Sequence, residues 1–340
     1  MAQKMNQLLV RNWAIQAVLE GNGSQVSREL SEHFGVTRMT AARALKGLVA
    51  DGWLESSGGT RPVFSFGRNR EVIRTYQVPG VDEHIAWVHD FAPVFSLPKN
   101  VADIAHHGLT EMLNNANDHS EGTMVVVLMR VKDGQLAIQI MDDGIGIFEK
   151  IARALNLPDR RLAILELSKG KFTTDPSNHS GEWIFFTSRM FDQFQIESND
   201  LHYDHDVRDR HDWLLELNRP KTGTLVHMSI PVASQRTSRE VFDKFSGGEN
   251  YGFETTVVPV RLAKIGNENL VSRSQAKRLV ARFEGFKTVL LDFNEIDDIG
   301  QAFADEIFRV FSLSHPEVEL VPIEAVPRVQ QMINRARQSR

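Results

Sequence analysis

Residues 109–120, LTEMLNNANDHS, followed by MDDGIGI at residues 141–147, decide how the whole chain is read. Glu111, Asn115, Asp118 and His119 fall at i, i+4, i+7 and i+8, so a helix lines all four polar groups along one face. Val101, Ile104, Ala105, Met112, Leu113 and Ala116 recur at helical spacing on a neighbouring face. Such a helix buries one stripe and turns a row of carboxylate and carboxamide groups towards a ligand.

These groups suit nucleotide chemistry. A carboxamide oxygen is a hard, neutral ligand for Mg²⁺, which makes Asn115 the metal candidate. A carboxylate one turn away can take a proton from a water attacking a γ-phosphate, which makes Glu111 the candidate base. Two strands are expected at residues 124–131 and 135–141, joined by a Lys132-Asp133-Gly134 turn. The second delivers Asp142, whose carboxylate can accept from an adenine amino group. Gly144 and Gly146 permit positive φ and close approach to a base. The bland alternative is an amphipathic helix followed by a glycine-rich turn. A lone DxGxG is weak, but three motifs in order favour the nucleotide site.

The order Glu111-x-x-x-Asn115-Ala116-x-x-His119, then Asp142-x-Gly144-x-Gly146, then Gly223-Thr224 before an apolar strand, resembles the ATPase domain shared by gyrase, Hsp90, MutL and histidine kinases, the GHKL superfamily. The NANDHS ending is most similar to the anti-sigma-factor serine kinases. The resemblance implies a GHKL-type α/β sandwich (Bergerat fold) over residues 99–235, with ATP and Mg²⁺ as cofactors. It implies Glu111 as base, Asn115 as the Mg²⁺ ligand and Asp142 as the adenine reader. His119, Gly144, Gly146 and Thr224 complete the expected contacts along these motifs.

The totals bound the answer. A chain of 340 residues holds two or three domains. No run of apolar residues is long enough to span a membrane and no export leader is evident, so a cytoplasmic protein is expected. There is no cysteine, which removes disulfides, thiol catalysis and cysteine metal sites. The net charge of −5 is uneven: residues 1–70 hold nine Lys or Arg against five Asp or Glu, giving +4, and the remainder carries −9.

The basic front has its own pattern. A helix is expected over residues 6–20, a second over 27–34, and a third from the Thr37 cap to about residue 50. A strand, a glycine-rich tip and a second strand follow, ending at Phe66. This resembles a winged helix-turn-helix of the GntR-like kind within residues 1–70. Arg38, Thr40, Arg43 and Lys46 on the third helix and Arg61 at the wing are the candidate DNA contacts. Dimerisation or protein docking is the other use of such modules.

Residues 71–98 read as a connector with a single short helix. Its His89-Asp90 pair invites comparison with a phosphoacceptor box, but Pro93 and Pro98 leave no room for the long helical hairpin that box requires. Helices are expected at residues 147–155 and 159–167. The polar stretch 168–180 corresponds to the family's mobile lid over the phosphates, with Lys171 and Thr173 as candidate contacts; a plain surface loop is the alternative. The family's second glycine cluster is here Ser180-Gly181-Glu182-Trp183, where Gly181 alone could open a helix onto phosphate. HYDHDVRDRHD, residues 202–212, reads as a solvated hairpin in preference to a metal site.

Residues 249–340 alternate strand and helix as α/β folds do. The stretch VLLDFNEIDDIGQAFADEIF resembles a STAS-like (DUF4325-like) domain. Anti-sigma antagonists of that fold carry a phosphoacceptor Ser where this chain reads Asp298-Ile299-Gly300-Gln301-Ala302, so an internal kinase and substrate pair is not expected. Asp297 and Asp298 read as turn or cap residues. The fold class is therefore multidomain α+β. The expected function is an ATP-binding, DNA-binding transcription regulator whose ATP site switches its domain arrangement. A serine/threonine protein kinase acting on a separate protein is the alternative, and a scaffold with a dead nucleotide site is the third class. Protein partners are expected through the STAS-like part, and a homodimer is among the expected assemblies.

Overall fold

The computed structural model describes residues 6–59, 61–171, 182–207, 211–247, 252–265 and 268–338. The chain divides into two units: residues 1–118, 122–142 and 225–235 form the first, and residues 119–121, 143–224 and 236–340 the second.

The first unit begins with three helices, α1 (Gln7–Leu19), α2 (Val26–His33) and α3 (Arg38–Ala50), and the antiparallel strands β1 (Leu54–Ser57) and β2 (Val63–Phe66). Thr37 caps α3, its hydroxyl accepting from Thr40 N at 3.2 Å. Val10, Ile15, Val26, Leu30, Leu45 and Trp53 belong to one buried cluster, so these five elements share a core of their own.

Strand β3 (Arg70–Gln77) follows directly, and its residues 71–77 correct the expectation of a connector there. It pairs with β4 (Met124–Lys132), which pairs with β5 (Gln135–Asp142), whose other neighbour is the Leu225–Pro231 end of β7 (His211–Pro231). All these pairings are antiparallel. Alternation decides the buried side: Val125, Val127 and Met129 on β4 and Leu136, Ile138 and Ile140 on β5 are buried. The β4–β5 turn has positive φ at Asp133 (52°) and Gly134 (77°), as the two-residue hairpin demands. Between β3 and β4 lie α4 (Glu83–Ala86), which continues as a π turn over Trp87–Phe91, and the long α5 (Lys99–His119). Helix α5 buries Val101, Ile104, Ala105, Leu109, Met112, Leu113 and Ala116, the expected stripe. Asp90 accepts from Tyr76 Oη at 2.7 Å and Arg74 Nε at 3.2 Å, so the acid of the His89-Asp90 pair ties the π turn to β3.

The second unit contains α6 (Ile147–Ala154), α7 (Leu162–Lys169), α8 (Trp183–Met190), β6 (Gln193–Asp206) beside β7, and α9 (Ser238–Phe245). Residues 202–212 do join two neighbouring strands, β6 and β7, but the expectation that the stretch is solvated is corrected: β6 runs through Asp206, Tyr203 is fully buried, and His205 and Asp206 are buried too. Polar residues alternating with Tyr203 at strand spacing hid how far the first strand runs and that it is buried. After the short β8 (Ser246–Gly247) and β9 (Gly252–Phe253), β10 (Thr255–Pro259), β11 (Thr288–Asp292) and β12 (Glu319–Ile323) form a parallel sheet in that order. α10 (Arg273–Val280) makes the first crossover. α11 (Gln301–Asp305), running on through a π turn to α12 (Ser312–Ser314), makes the second, and α13 (Pro327–Gln338) ends the chain. Ser272 and Gln275 form a capping box on α10.

Candidate nucleotide site and nucleic-acid interface

In the first unit the polar face of α5 stands where the spacing put it. Glu111 is half-buried, and its carboxyl is pushed up to about 7, first by burial and then by the charge of Glu83 on α4. One turn on, the half-buried Asn115 amide donates weakly to Met112 Sδ at 4.0 Å, which leaves its oxygen unengaged among the described residues. Asp142 ends β5 on the buried side of the strand, opposite Val125. Asn117, which the spacing argument passed over, accepts from Gly80 N at 2.8 Å and Val81 N at 3.2 Å and so fixes the end of α5 to the chain before α4.

Because burial raises Glu111, its carboxyl favours the folded state only while protonated. That contribution is fully present below its ordinary value of 4.5 and lost as pH rises through about 7. Glu111→Gln should therefore flatten the fall in urea-unfolding stability over that window. An unchanged pH profile in the variant would show that Glu111 is not held in a raised state.

In the second unit, His119 ends α5 half-buried. Gly144 does not need positive φ, a correction to the expected reason for that glycine. Instead a Cβ there would overlap the Ser120 carbonyl, which accepts from Ile145 N at 2.9 Å. Gly146 does take positive φ (92°), and a Cβ on it would strike Ser198 and Asn199. Asn199 Nδ2 donates to Ile145 O at 3.1 Å, and Ile147 N donates to Thr224 Oγ1 at 2.9 Å. The buried Thr224 hydroxyl thus serves the first turn of α6, an orphan amide that helix starts must satisfy.

Residues 168–171 are not loop up to Lys169: Ser168 and Lys169 are buried on α7, a correction to the lid expectation at its start. Lys169 Nζ donates to Glu166 Oε1 at 2.6 Å and to the Arg278 and Ala281 carbonyls at 3.0 Å each. Burial lowers its pKa, opposed by Glu166. Arg282 donates to Glu166 Oε2 at 2.9 Å and to Lys171 O at 2.6 Å, and Thr256 Oγ1 donates to Lys169 O at 2.7 Å. Lys171 Nζ donates to Gly285 O at 2.7 Å and lies 4.8 Å from the Phe286 ring centre. Its amine is therefore engaged with the chain around Phe286. Thr173 and Gly181 lie outside the described residues.

On α3 the residues Arg38, Thr40, Arg43 and Lys46 are all exposed while Ala41, Leu45 and Leu48 are buried, and Arg61 is exposed beside the β1–β2 tip. Among the described residues no three His, Asp or Glu side chains gather as a metal cluster, and no helix is long and apolar enough to cross a membrane. Asp298 accepts from Arg328 Nη2 at 2.8 Å, an ion pair beyond the turn role read for it.

A family model described as a STAS-like domain of unknown function (DUF4325) matches residues 275–330, and the C-terminal part of the chain is a STAS-like domain. No curated protein matches the chain. Among solved structures, the crystal structure of an IcIR transcriptional regulator from Alicyclobacillus acidocaldarius is 12% identical, with 71% of this chain and 96% of that chain covered and a TM-score of 0.19. A likeness at that TM-score carries no argument about this chain.

Proposed function

We propose that the chain is an ATP-binding regulator of transcription, with a GHKL-type nucleotide site, a winged helix-turn-helix that docks on DNA, and the STAS-like domain as a port for a protein partner. The observation that carries the nucleotide half is on α5: a carboxyl pushed up to about 7 stands one turn from a carboxamide oxygen that no described residue engages. A base needs a pKa near working pH, and Mg²⁺ takes hard oxygens, of which an unengaged carboxamide oxygen can be one. Asp142 would accept from the adenine amino group. ATP would favour one arrangement of the chain, and DNA binding would report it.

Asp142→Asn tests this reading. The carboxamide loses the charge and adds donors to a group that only accepted, where adenine also donates, so ATP affinity should fall by about 1.5 to 3 kcal/mol, the worth of a hydrogen bond to a charged group. Equal ATP affinity in the variant and the wild type would remove Asp142 from the site.

The DNA half is supported by the exposed cations on a helix that buries only its opposite side, in a module that holds the basic part of the chain. Replacing Arg38 and Arg43 together by Ala should weaken duplex binding and lower the slope of log affinity against log salt by about two, one for each phosphate no longer neutralised. A full-length protein with no duplex affinity at low salt would make the module a protein dock instead.

A further inference from the structure

The outward face of α3 has an apolar centre. At about 100° per residue, Arg43, Lys46 and Ala50 fall within about 40° of Met39 and Ala42 within about 60°, whereas the buried Ala41, Leu45 and Leu48 lie about 120° or more away. Met39 is 73% exposed. A lone exposed apolar side chain needs no explanation, but this one sits in the middle of a cationic stripe. Arg38, Arg43 and Lys46 make no ion pair among the described residues, so their charge is available to an anionic partner.

Gly47 adds an independent observation. Glycine inside a helix is destabilising relative to alanine, and it is kept where something must come close. Here a Cβ would meet nothing within 4 Å among the described residues. The low relief made by exposed Ala42 and Gly47 is therefore not required by the chain's own packing and suits an approaching external surface.

We propose that Met39 reads the C5-methyl group of a thymine in the DNA major groove, as the apolar contact at the centre of an otherwise ionic interface. The proposal rests on the reading of α3 as the DNA-facing helix and adds a sequence determinant to it. The major groove presents one apolar group among its hydrogen-bonding edges, the thymine methyl. A long unbranched thioether adapts its rotamers to reach that group while Arg43 and Lys46, on either side, meet phosphates. Phosphate contacts position the helix without reading sequence, so the selectivity at this base step comes from Met39.

The test uses the full chain and the tightest duplex selected from a randomised pool, with each thymine replaced in turn by uracil, which removes only the methyl. Wild type should lose about fourfold in affinity at one position, the worth of one buried methyl. Met39→Ala should bind the thymine and uracil duplexes equally and keep the wild-type salt slope. Arg43→Ala should lower the salt slope and keep the uracil penalty. Alanine at an exposed helical position supports folding, so a null result in Met39→Ala reports recognition. A sequence-selective wild type indifferent to every thymine-to-uracil change would overturn the proposal, as would a penalty retained in Met39→Ala. No duplex affinity at low salt would overturn the DNA reading itself, and this proposal with it.

Discussion

Glu111→Ala should keep ATP and Mg²⁺ bound while turnover falls by about two to four orders of magnitude, the usual contribution of a general base. On the proposed reading the side chain would move a proton and would not hold the nucleotide: it is half-buried, and its carboxyl at about 7 is poised near neutral pH. Turnover in the wild type should accordingly rise with pH through about 7, as the base loses its proton. Asn115→Ala should behave differently in kind. Its oxygen, which no described residue engages, would be the hard ligand on the same face, so its loss should weaken Mg²⁺-dependent nucleotide binding itself. Single-turnover hydrolysis of γ-labelled ATP and a Mg²⁺-dependent titration separate the two. Two variants indistinguishable from wild type in both measurements would make this face of α5 a solvated surface.

Glu166→Ala should cost about 3 to 5 kcal/mol of stability, the penalty for stripping one partner from a buried ion pair. Lys169 is fully buried, and among the described residues Glu166 is the one carboxylate paired with it, at 2.6 Å. The same carboxylate receives Arg282 at 2.9 Å, but that guanidinium is partly exposed and keeps the Lys171 carbonyl, so the loss falls mainly on Lys169. The Arg278 and Ala281 carbonyls that remain around the amine are the last acceptors of α10 and carry only partial charge. Replacing the pair together, Glu166→Leu with Lys169→Met, should recover much of the loss, because it removes the charges along with their need for each other. Urea unfolding followed through the tryptophan signal gives both numbers. A loss below about 1 kcal/mol in Glu166→Ala, the worth of an exposed pair, would mean that water reaches the amine.

The elements legible in the sequence were those whose signals are local. Helix α5 shows its buried stripe at helical spacing, Thr37 announces α3, and Asp133-Gly134 sets the hairpin. The elements that escaped depend on distant partners. Strand β3 reads REVIRTYQ, too charged for a sheet strand, but Glu71 is buried against Arg11 and Arg130, and Arg74 and Tyr76 meet Asp90. Lys169 looks like a lid lysine until Glu166 at i−3 and the C-terminal end of α10 enclose it. Gly144 is legible as a required glycine, but its reason, the Ser120 carbonyl, belongs to the turn before β4. The candidate site divides in the same way. Glu111 and Asn115 follow from spacing alone, whereas the engagement of Lys171 with Gly285 and of Thr224 with Ile147 comes from tertiary structure.

Calorimetric titration of the full-length protein with ATP and then with GTP, each in the presence of Mg²⁺, tests the central claim most directly. A buried carboxylate that accepts from the adenine amino group discriminates against guanine, which presents a carbonyl at that position and would face the carboxylate with an acceptor. Saturable ATP binding at one site per chain is expected, with GTP binding weaker by about 1.5 kcal/mol or more, tenfold or greater in affinity. Equal heats and affinities for the two nucleotides, or no binding of either, would contradict it.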